Sequence, residues 1–170
     1  MIIYHGSDIA VTKPKIVIAS RFLDFGEGFY TTASHEQAVR WAERVNRNRK
    51  SNQPIISIYD FDIDKAVDEL QIIRFNTPGS EWLRFVTSCR SGKKTDSDYD
   101  IVMGPVANDN VYATVQLFET GILTEAETII RLKVEKIYNQ ILFHTEKSLA
   151  FVSFKKYENA GENANEQRKI

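Results

Sequence analysis

Near the start of the chain, the residue best suited to binding or catalysis is His5, which ends a short apolar run and precedes Gly6 and Ser7. An imidazole can donate and accept hydrogen bonds, and a neighbouring glycine lets a ligand approach the main chain closely. The trio would therefore suit a ligand held partly by backbone groups. A lone histidine at a strand end can equally be an ordinary satisfied polar residue, so His5 needs partners from elsewhere.

A second stretch that could form part of a functional site covers residues 24–32, where Gly26 and Gly28 precede the aromatic pair Phe29 and Tyr30. Glycine permits positive φ or a close approach of two backbones. Successive strand residues point to opposite faces, so one ring should be buried and the other presented. The stretch predicts a loop that feeds a short strand, and a plain hairpin or bulge would also fit.

A helix directly after this strand would hold the two stretches in position. Ser34 and Gln37 fit a capping box at its start, and apolar residues then recur at i, i+3, i+4 and i+7. These apolar residues are Ala38, Trp41, Ala42 and Val45. The basic run at residues 44–50 would lie at the end of this helix, where positive charge suits the helix dipole.

Length and composition indicate one ordinary globular domain. A chain of 170 residues can bury a sizeable core, and its net charge of −1 gives no case for wholesale nucleic-acid binding. The single cysteine, Cys89, excludes an internal disulfide framework and suits a reducing compartment. No Cys/His cluster has zinc spacing, and no leader or membrane-spanning run is evident. We therefore expect a cytoplasmic protein without a metal.

The order of predicted elements is strand-rich with interspersed helices, which is typical of the α+β class. Strands are predicted at residues 2–7, 16–18, 29–32, 55–61, 70–75, 99–103 and 136–143, the sixth stopping at Gly104-Pro105. Helices are predicted after cap residues Ser34, Thr77, Asn108 or Asp109, Thr124 and Thr145, the last helix extending to Val152. The chain is predicted to form one domain over residues 1–157 and a polar, flexible tail over residues 158–170.

Four short motifs in this order resemble a known superfamily. They are Tyr-His-Gly-Ser at residues 4–7, Asp-Phe-Gly-Glu-Gly-Phe-Tyr at 24–30, Gly-Pro-Val-Ala-Asn-Asp at 104–109, and Gln-Ile-Leu-Phe-His-Thr-Glu at 140–146. Together they resemble an uncharacterised bacterial family within the ADP-ribosyltransferase superfamily, in its diphtheria-toxin-like branch with a His-Tyr-Glu signature. The resemblance spans residues 4–152. It implies a split pair of small bent β-sheets with flanking helices and a central NAD cleft.

The resemblance also implies a role for each matching residue. His5 would bind the adenosine ribose of NAD, and the Gly6 backbone would hold the nicotinamide carboxamide. Tyr30 would pack on the nicotinamide ring, and Trp41, eleven residues later, would stack from the other side unless it serves the apolar helix face. Arg21 or the following helix would neutralise the pyrophosphate, unless Arg21 is simply solvated. The implied cofactor-binding residues are His5, Gly6, Ser7, Arg21, Gly28, Tyr30 and Trp41.

Two positions depart from the family pattern. Ala38 stands where a serine usually binds the carboxamide, and Gln140 stands where the signature has a glutamate. Glutamine keeps the hydrogen bonds to the nicotinamide ribose, but it brings no negative charge and cannot act as a general base. The implied catalytic set is therefore His5, Tyr30 and Gln140. Residues that could supply the missing base or face the acceptor are Glu27, Asn108, Asp109 and Glu146, unless helix capping explains the last three or the acceptor provides its own base.

The implied function is an NAD-dependent mono-ADP-ribosyltransferase that releases nicotinamide and modifies an unidentified macromolecule. NAD would be a substrate rather than a resident cofactor. Members of the bacterial family occur beside small partner genes, so the resemblance implies an intracellular toxin with a small antitoxin protein as its partner. The alternatives are an NAD glycohydrolase and a non-catalytic domain that binds NAD or ADP-ribose.

Overall fold

The fold is known from a computed structural model that describes residues 1–18, 23–51, 53–92, 98–106, 109–133 and 138–160. Within these ranges the strands are β1 (Ile2–Ser7), β2 (Phe29–Thr32), β3 (Ile55–Phe61), β4 (Ile72–Arg74), β5 (Ile101–Val106), β6 (Tyr138–Phe143) and β7 (Val152–Asn159). The helices are α1 (His35–Arg49), α2 (Ile63–Glu69), α3 (Ser80–Arg90), α4 (Asp109–Glu119), α5 (Glu125–Leu132) and α6 (Glu146–Leu149). The predicted α+β class is confirmed.

The strands form one sheet in the order β4-β5-β6-β2-β1-β3-β7. Every neighbouring pair is antiparallel except β4 and β5, which are parallel. The pairing between β1 and β2 consists of Tyr4 opposite Thr32 alone, whereas β1 pairs with β3 along its whole length, from Ile2–Asp60 to Ser7–Ile55. We call this narrow junction between β1 and β2 the seam. Beyond Tyr4, strand β1 has no described ladder partner on its β2 side.

Helix α1 packs directly on β1, and small residues make this close approach possible. A Cβ atom on Gly6 would lie 2.2 Å from the Ala38 carbonyl oxygen and 2.7 Å from the Ala42 nitrogen. Ala38 and Ala42 are themselves buried. Ser34 caps the helix by accepting a hydrogen bond from the Gln37 backbone nitrogen at 3.3 Å. The predicted cap at Ser34 is confirmed. The close contact of Gly6 with Ala38 and Ala42 fixes the helix relative to the end of β1.

Two aromatic-rich cores lie on either side of the sheet. One core packs Phe29, Tyr59, Phe61 and Phe143 against residues of α2 and α6. The other places Trp82 and Val86 of α3 beside Phe25 and Leu142, and the Trp82 indole donates a hydrogen bond to the Pro105 carbonyl at 2.9 Å. The buried residues of α3 are Trp82, Leu83, Val86 and Cys89, the last with a buried free thiol. Among the described helices none is long and apolar enough to cross a membrane.

The predicted end of the domain at residue 157 is too early. Strand β7 continues to Asn159 and pairs with β3 up to the contact of Asn159 with Ile55. Ala160 is buried, and the Glu158 side chain bonds His35 at the start of α1. The sequence of β7 is polar because it is an edge strand with one exposed face, and this polarity resembles that of a loose tail. The prediction for residues 161–170 lies outside the described residues.

Other predicted boundaries are also wrong for local reasons. Residues 16–18 join no strand ladder, and α6 ends at Leu149 so that Val152 opens β7. Helix α3 begins at Ser80 with Gly79 as its N-cap, rather than after Thr77. Strand β5 does not stop at Gly104-Pro105 but runs on to Val106, because its pairing with β6 continues to Val106. Its pairing with β4 ends at Met103, so Pro105 breaks no ladder bond on that side. Helix α2 and strand β7 are elements that the sequence pattern missed.

Candidate functional site

A cavity of about 1470 Å³ opens at the seam, between the end of β1, the start of β2, α1, and the α3 and α4 side of the molecule. Its volume exceeds the ~300–1,000 Å³ of most small-molecule sites. Seven residues predicted from the sequence line it: His5, Gly6, Ser7, Gly28, Tyr30, Trp41 and Gln140. Four separated segments of the chain therefore meet at one cavity.

The other predicted residues do not line the described wall of this cavity. Glu27 contributes its carbonyl oxygen to a hydrogen bond with His144 at 2.7 Å. Glu146 lies in the first turn of α6, where a negative charge complements the helix dipole. The predictions for Arg21, Asn108 and the Asp109 side chain lie outside the described residues.

His5 is held as a neutral, oriented hydrogen-bond acceptor. Its Nδ1 lies 2.7 Å from the Tyr30 carbonyl oxygen, and a carbonyl can only accept, so Nδ1 carries the proton. Burial lowers the pKa of His5 below the usual 6.5. The ring also packs against Phe29, with centroids 4.7 Å apart. In the neutral imidazole Nε2 is left as an acceptor for a ligand hydroxyl.

Hydrogen bonds hold the Tyr30 hydroxyl in place, so the residue offers the cavity an aromatic ring and not an acid or a base. Its hydroxyl donates to the Gly26 carbonyl at 2.5 Å and accepts from the Phe25 nitrogen at 3.3 Å. Burial raises the pKa of Tyr30 far above its usual value of 10. Gly28 has φ of +147°, and a Cβ there would lie 2.3 Å from the Phe143 carbonyl oxygen. The two glycines thus let the loop turn tightly against β6 and hold Tyr30 in the cavity wall.

Gln140 lies in the centre of the sheet, where β6 pairs with both β2 and β5. Its side chain is buried, with 4% of the residue exposed, and it contributes to the cavity lining. Opposite it, the Thr32 hydroxyl lies 2.6 Å from Gln37 Oε1 and 2.9 Å from the Asn139 carbonyl oxygen. A carboxamide can donate and accept hydrogen bonds, so Gln140 offers both kinds of group to the cavity that it lines.

The predicted apolar face of α1 divides into two parts. Ala38 and Ala42 contact β1, whereas Trp41 and Val45 line the cavity and are partly exposed. The sequence left open whether Trp41 belongs to the core or to a ligand site. Trp41 lies on the cavity wall, and its ligand role stays a prediction.

Residues 11–17 form a further wall of the cavity and are tied down by backbone contacts. The Val11 nitrogen donates to the Ser57 hydroxyl at 2.9 Å, and the Tyr59 hydroxyl donates to the Val11 carbonyl at 2.5 Å. At the other end, the Gly28 nitrogen donates to the Val17 carbonyl at 3.2 Å. This segment therefore presents its lysines to the cavity from an anchored backbone.

The described lining carries a strong positive charge, although the whole chain has a net charge of −1. Its basic residues are Lys13, Lys15, Arg44, Arg49, Arg84 and Arg90, and its acidic residues are Asp24 and Glu119. Three of the arginines are paired with carboxylates: Arg49 with Asp8 at 3.0 Å, Arg84 with Glu125 at 3.3 Å and Arg90 with Asp24 at 2.8 Å. A cleft lined mainly by one sign of charge concentrates ligands of the opposite sign. The cavity is thus suited to an anionic ligand.

Sequence reasoning missed most of these charged residues. The basic residues come from separate elements, and only folding brings them together. Asp24 could have been identified from the sequence, because it is the first residue of the motif at residues 24–30. Within the described residues no group of three or more His, Cys, Asp or Glu side chains is placed to hold a metal ion.

Fold and site together define an α+β domain with a basic cleft that joins a neutral histidine, a fixed tyrosine ring and a buried glutamine. The chain belongs to the family described as Protein of unknown function (DUF3990), whose pattern matches residues 1–154. No curated protein and no solved structure matches the chain.

Proposed function

We propose that this protein is an NAD-dependent mono-ADP-ribosyltransferase. The observation that carries the proposal is the convergence of His5, Tyr30, Trp41 and Gln140 on one positively charged cavity. These residues come from distant parts of the chain; His5, Tyr30 and Gln140 were singled out by their places in motifs, and Trp41 by its spacing from Tyr30. NAD has the features that such a cavity recognises: an aromatic base, ribose hydroxyls and an anionic pyrophosphate.

The bond to be broken joins nicotinamide to ribose. Nicotinamide leaves with the bonding electrons, ribose C1′ passes through an oxocarbenium-like state, and an acceptor atom bonds to C1′ as it loses a proton. Tyr30 and Trp41 offer ring surfaces that would orient the nicotinamide. The backbone of residues 5–7 is unpaired towards β2, which leaves main-chain groups available for the carboxamide.

Polar side chains of the cavity would bind the sugars. His5 Nε2 accepts a hydrogen bond from a ribose hydroxyl, and the Gln140 carboxamide can both donate and accept. The basic lining would balance the pyrophosphate charge. Because Gln140 carries no charge, it supplies positioning but no electrostatic stabilisation of the oxocarbenium-like state. This limits the proposal to single transfer rather than chain building.

The direct test is nicotinamide release from NAD by the purified protein, with and without a bacterial lysate. Release that requires lysate indicates transfer, and labelled NAD would then mark the acceptor. Release without any acceptor would instead indicate an NAD glycohydrolase. Binding of NAD without release under either condition would reject an enzyme and leave a binding domain, the alternative that Gln140 keeps open.

A matched pair of tyrosine variants tests the site itself. Tyr30→Ala should lower nicotinamide release at least tenfold, because the ring that orients the leaving group is lost. Tyr157→Ala removes an equally large but 56% exposed ring from β7 and should leave release unchanged. Equal rates for the two variants would reject the site. Gln140→Glu should change the rate, because it restores a charge where the oxocarbenium-like state forms.

The proposal includes a biological role as an intracellular toxin with an antitoxin partner. Expression of the gene alone should then slow bacterial growth, and Tyr30→Ala should relieve the effect. Unimpaired growth with the wild-type gene would contradict this role while leaving the enzymatic proposal to the nicotinamide assay.

A further inference from the structure

Arg90 is a buried cation of the cavity wall whose hydrogen-bonding capacity is largely unused. It ends helix α3, and only 8% of its side chain is exposed. Its Nε donates to Asp24 Oδ1 at 2.8 Å. Nη2 lies 2.8 Å from the same oxygen, but it is not aligned for a hydrogen bond. Both Nη1 and Nη2 are buried without a hydrogen-bond partner.

The remaining surroundings of Arg90 leave one edge of its guanidinium for a ligand. The face of the group is covered by Tyr112, with the central carbon 4.4 Å from the ring centroid. The Nε edge is occupied by Asp24. The Nη edge is the part that lacks partners, and Arg90 lines the cavity. Tyr112 also lines the cavity and is 52% exposed, so this part of the wall faces the space in which a ligand would lie.

A purely structural explanation accounts for only part of this arrangement. Arg90 complements the C-terminal dipole of α3 and pairs with Asp24, which explains a cation at this position. It does not explain why Nη1, with two N–H donors, is buried without a partner, or why Nη2 has only its contact with Asp24, since charged donors without partners cost more than neutral ones. Arg84, six residues earlier on the same helix, shows the contrast. Its side chain is 72% exposed and bonds Glu125 at 3.3 Å.

We propose that the Nη edge of Arg90 is a binding site for a phosphoryl group. The planar guanidinium presents parallel N–H donors that match two oxygens of a phosphate. Asp24 holds the guanidinium in place, and Tyr112 limits its rotation. The inference rests on the proposed function for the source of the phosphate, which is either the pyrophosphate of NAD or a phosphate of the acceptor.

The test compares Arg90→Lys with Arg40→Lys, using inorganic pyrophosphate as the probe in titration calorimetry. Lysine keeps the positive charge beside Asp24 but lacks the parallel donors. Loss of one hydrogen bond to a charged group is worth about 1.5–3 kcal/mol, so Arg90→Lys should weaken pyrophosphate binding about 10- to 100-fold. Arg40→Lys changes an exposed arginine of α1 that pairs with Glu36 and does not line the cavity, and it should leave pyrophosphate binding unchanged. Equal affinities for wild type and Arg90→Lys, or no binding to wild type, would overturn the inference.

Two further ligands identify the source of the phosphate and separate this inference from a folding defect. If NAD supplies it, Arg90→Lys weakens NAD binding but leaves the phosphate-free nicotinamide riboside unaffected. If the acceptor supplies it, pyrophosphate binding falls while NAD binding is unchanged. Equal losses for NAD and nicotinamide riboside would mean a distorted cavity and would overturn the inference. Arg90→Gln serves as a second variant, with melting temperature measured for each.

The outcome is also distinguishable from that of the proposed function. Pyrophosphate binding that depends on Arg90, in a protein that releases no nicotinamide, would retain the phosphoryl site and reject the transferase. Nicotinamide release with pyrophosphate binding that is indifferent to Arg90→Lys would do the reverse.

Discussion

Replacing Gly6 with alanine should force helix α1 away from strand β1 and destabilise the whole domain. The added Cβ would lie 2.2 Å from the Ala38 carbonyl oxygen and 2.7 Å from the Ala42 nitrogen. Both are backbone atoms, so no change of side-chain rotamer can relieve the overlap. The helix itself must move, and it carries Trp41 and Val45 of the cavity wall.

The size of the effect follows from the nature of the overlap. Overpacking of a core costs about 1–3 kcal/mol, and a clash between two rigid backbones belongs at the upper end. At this chain length each kcal/mol lowers the melting temperature by about 2–4 °C. Gly6→Ala should therefore melt about 6–12 °C below the wild type.

Thermal unfolding followed by circular dichroism measures this difference, and Gly79→Ala is the matched control. A Cβ on Gly79 would meet only the Thr77 hydroxyl oxygen, at an ordinary contact distance of 3.8 Å, so the control should lose at most about 1 kcal/mol. If Gly6→Ala melts as the control does, the close packing of α1 on β1 is wrong. If it folds but no longer binds NAD while the control does, the packing also sets the shape of the cavity.

Three further predictions address other parts of the molecule. Burial lowers the pKa of His5 below the usual 6.5, so the unfolded chain binds more protons once the pH falls below 6.5. Stability should therefore be full above this pH and fall below it, and denaturant titrations should show a smaller fall for His5→Gln. Burial raises the pKa of Cys89 to about 12, so a thiol reagent at about pH 8 should label it only upon unfolding, and rapid labelling of native protein would contradict its burial. Trp82→Phe leaves the Pro105 carbonyl unpaired and should cost about 1–3 kcal/mol in chemical denaturation, whereas Trp41→Phe, at the cavity, should cost less; the reverse order would contradict the assigned positions.

Local signals in the sequence predicted the fold where the chemistry is local. Ser34, Thr124 and Thr145 each cap the helix that their side chains predict, because an N-cap depends only on residues within one turn. Gln37 shows the limit of this reasoning: its side chain meets the Thr32 hydroxyl instead of completing the capping box. A tertiary contact replaced the local one.

The remaining misses depend on long-range pairing. Strand β7 has an exposed face with charged residues, and only its pairing with β3 makes it a strand. The cavity was predictable at its motif residues, whose glycines and aromatic rings form recognisable patterns. Arg90 and Lys13 could not be found in this way, because scattered charges acquire a shared meaning only when the elements that carry them are assembled.

The seam between β1 and β2 has a consequence for how the chain folds. The sheet on one side of it contains β1, β3 and β7, and the other side contains β2, β6, β5 and β4, so the chain crosses between the two sides repeatedly. Neither side is a continuous piece of sequence, because Ile55 pairs with Asn159 and Phe29 pairs with Phe143, each more than 100 residues away. Such non-local pairing slows folding, since loop closure must precede the contacts that reward it. One side needs β7 and the other needs β6, the last two strands of the chain. The cavity therefore cannot be complete before β6, which carries Gln140, has joined the sheet.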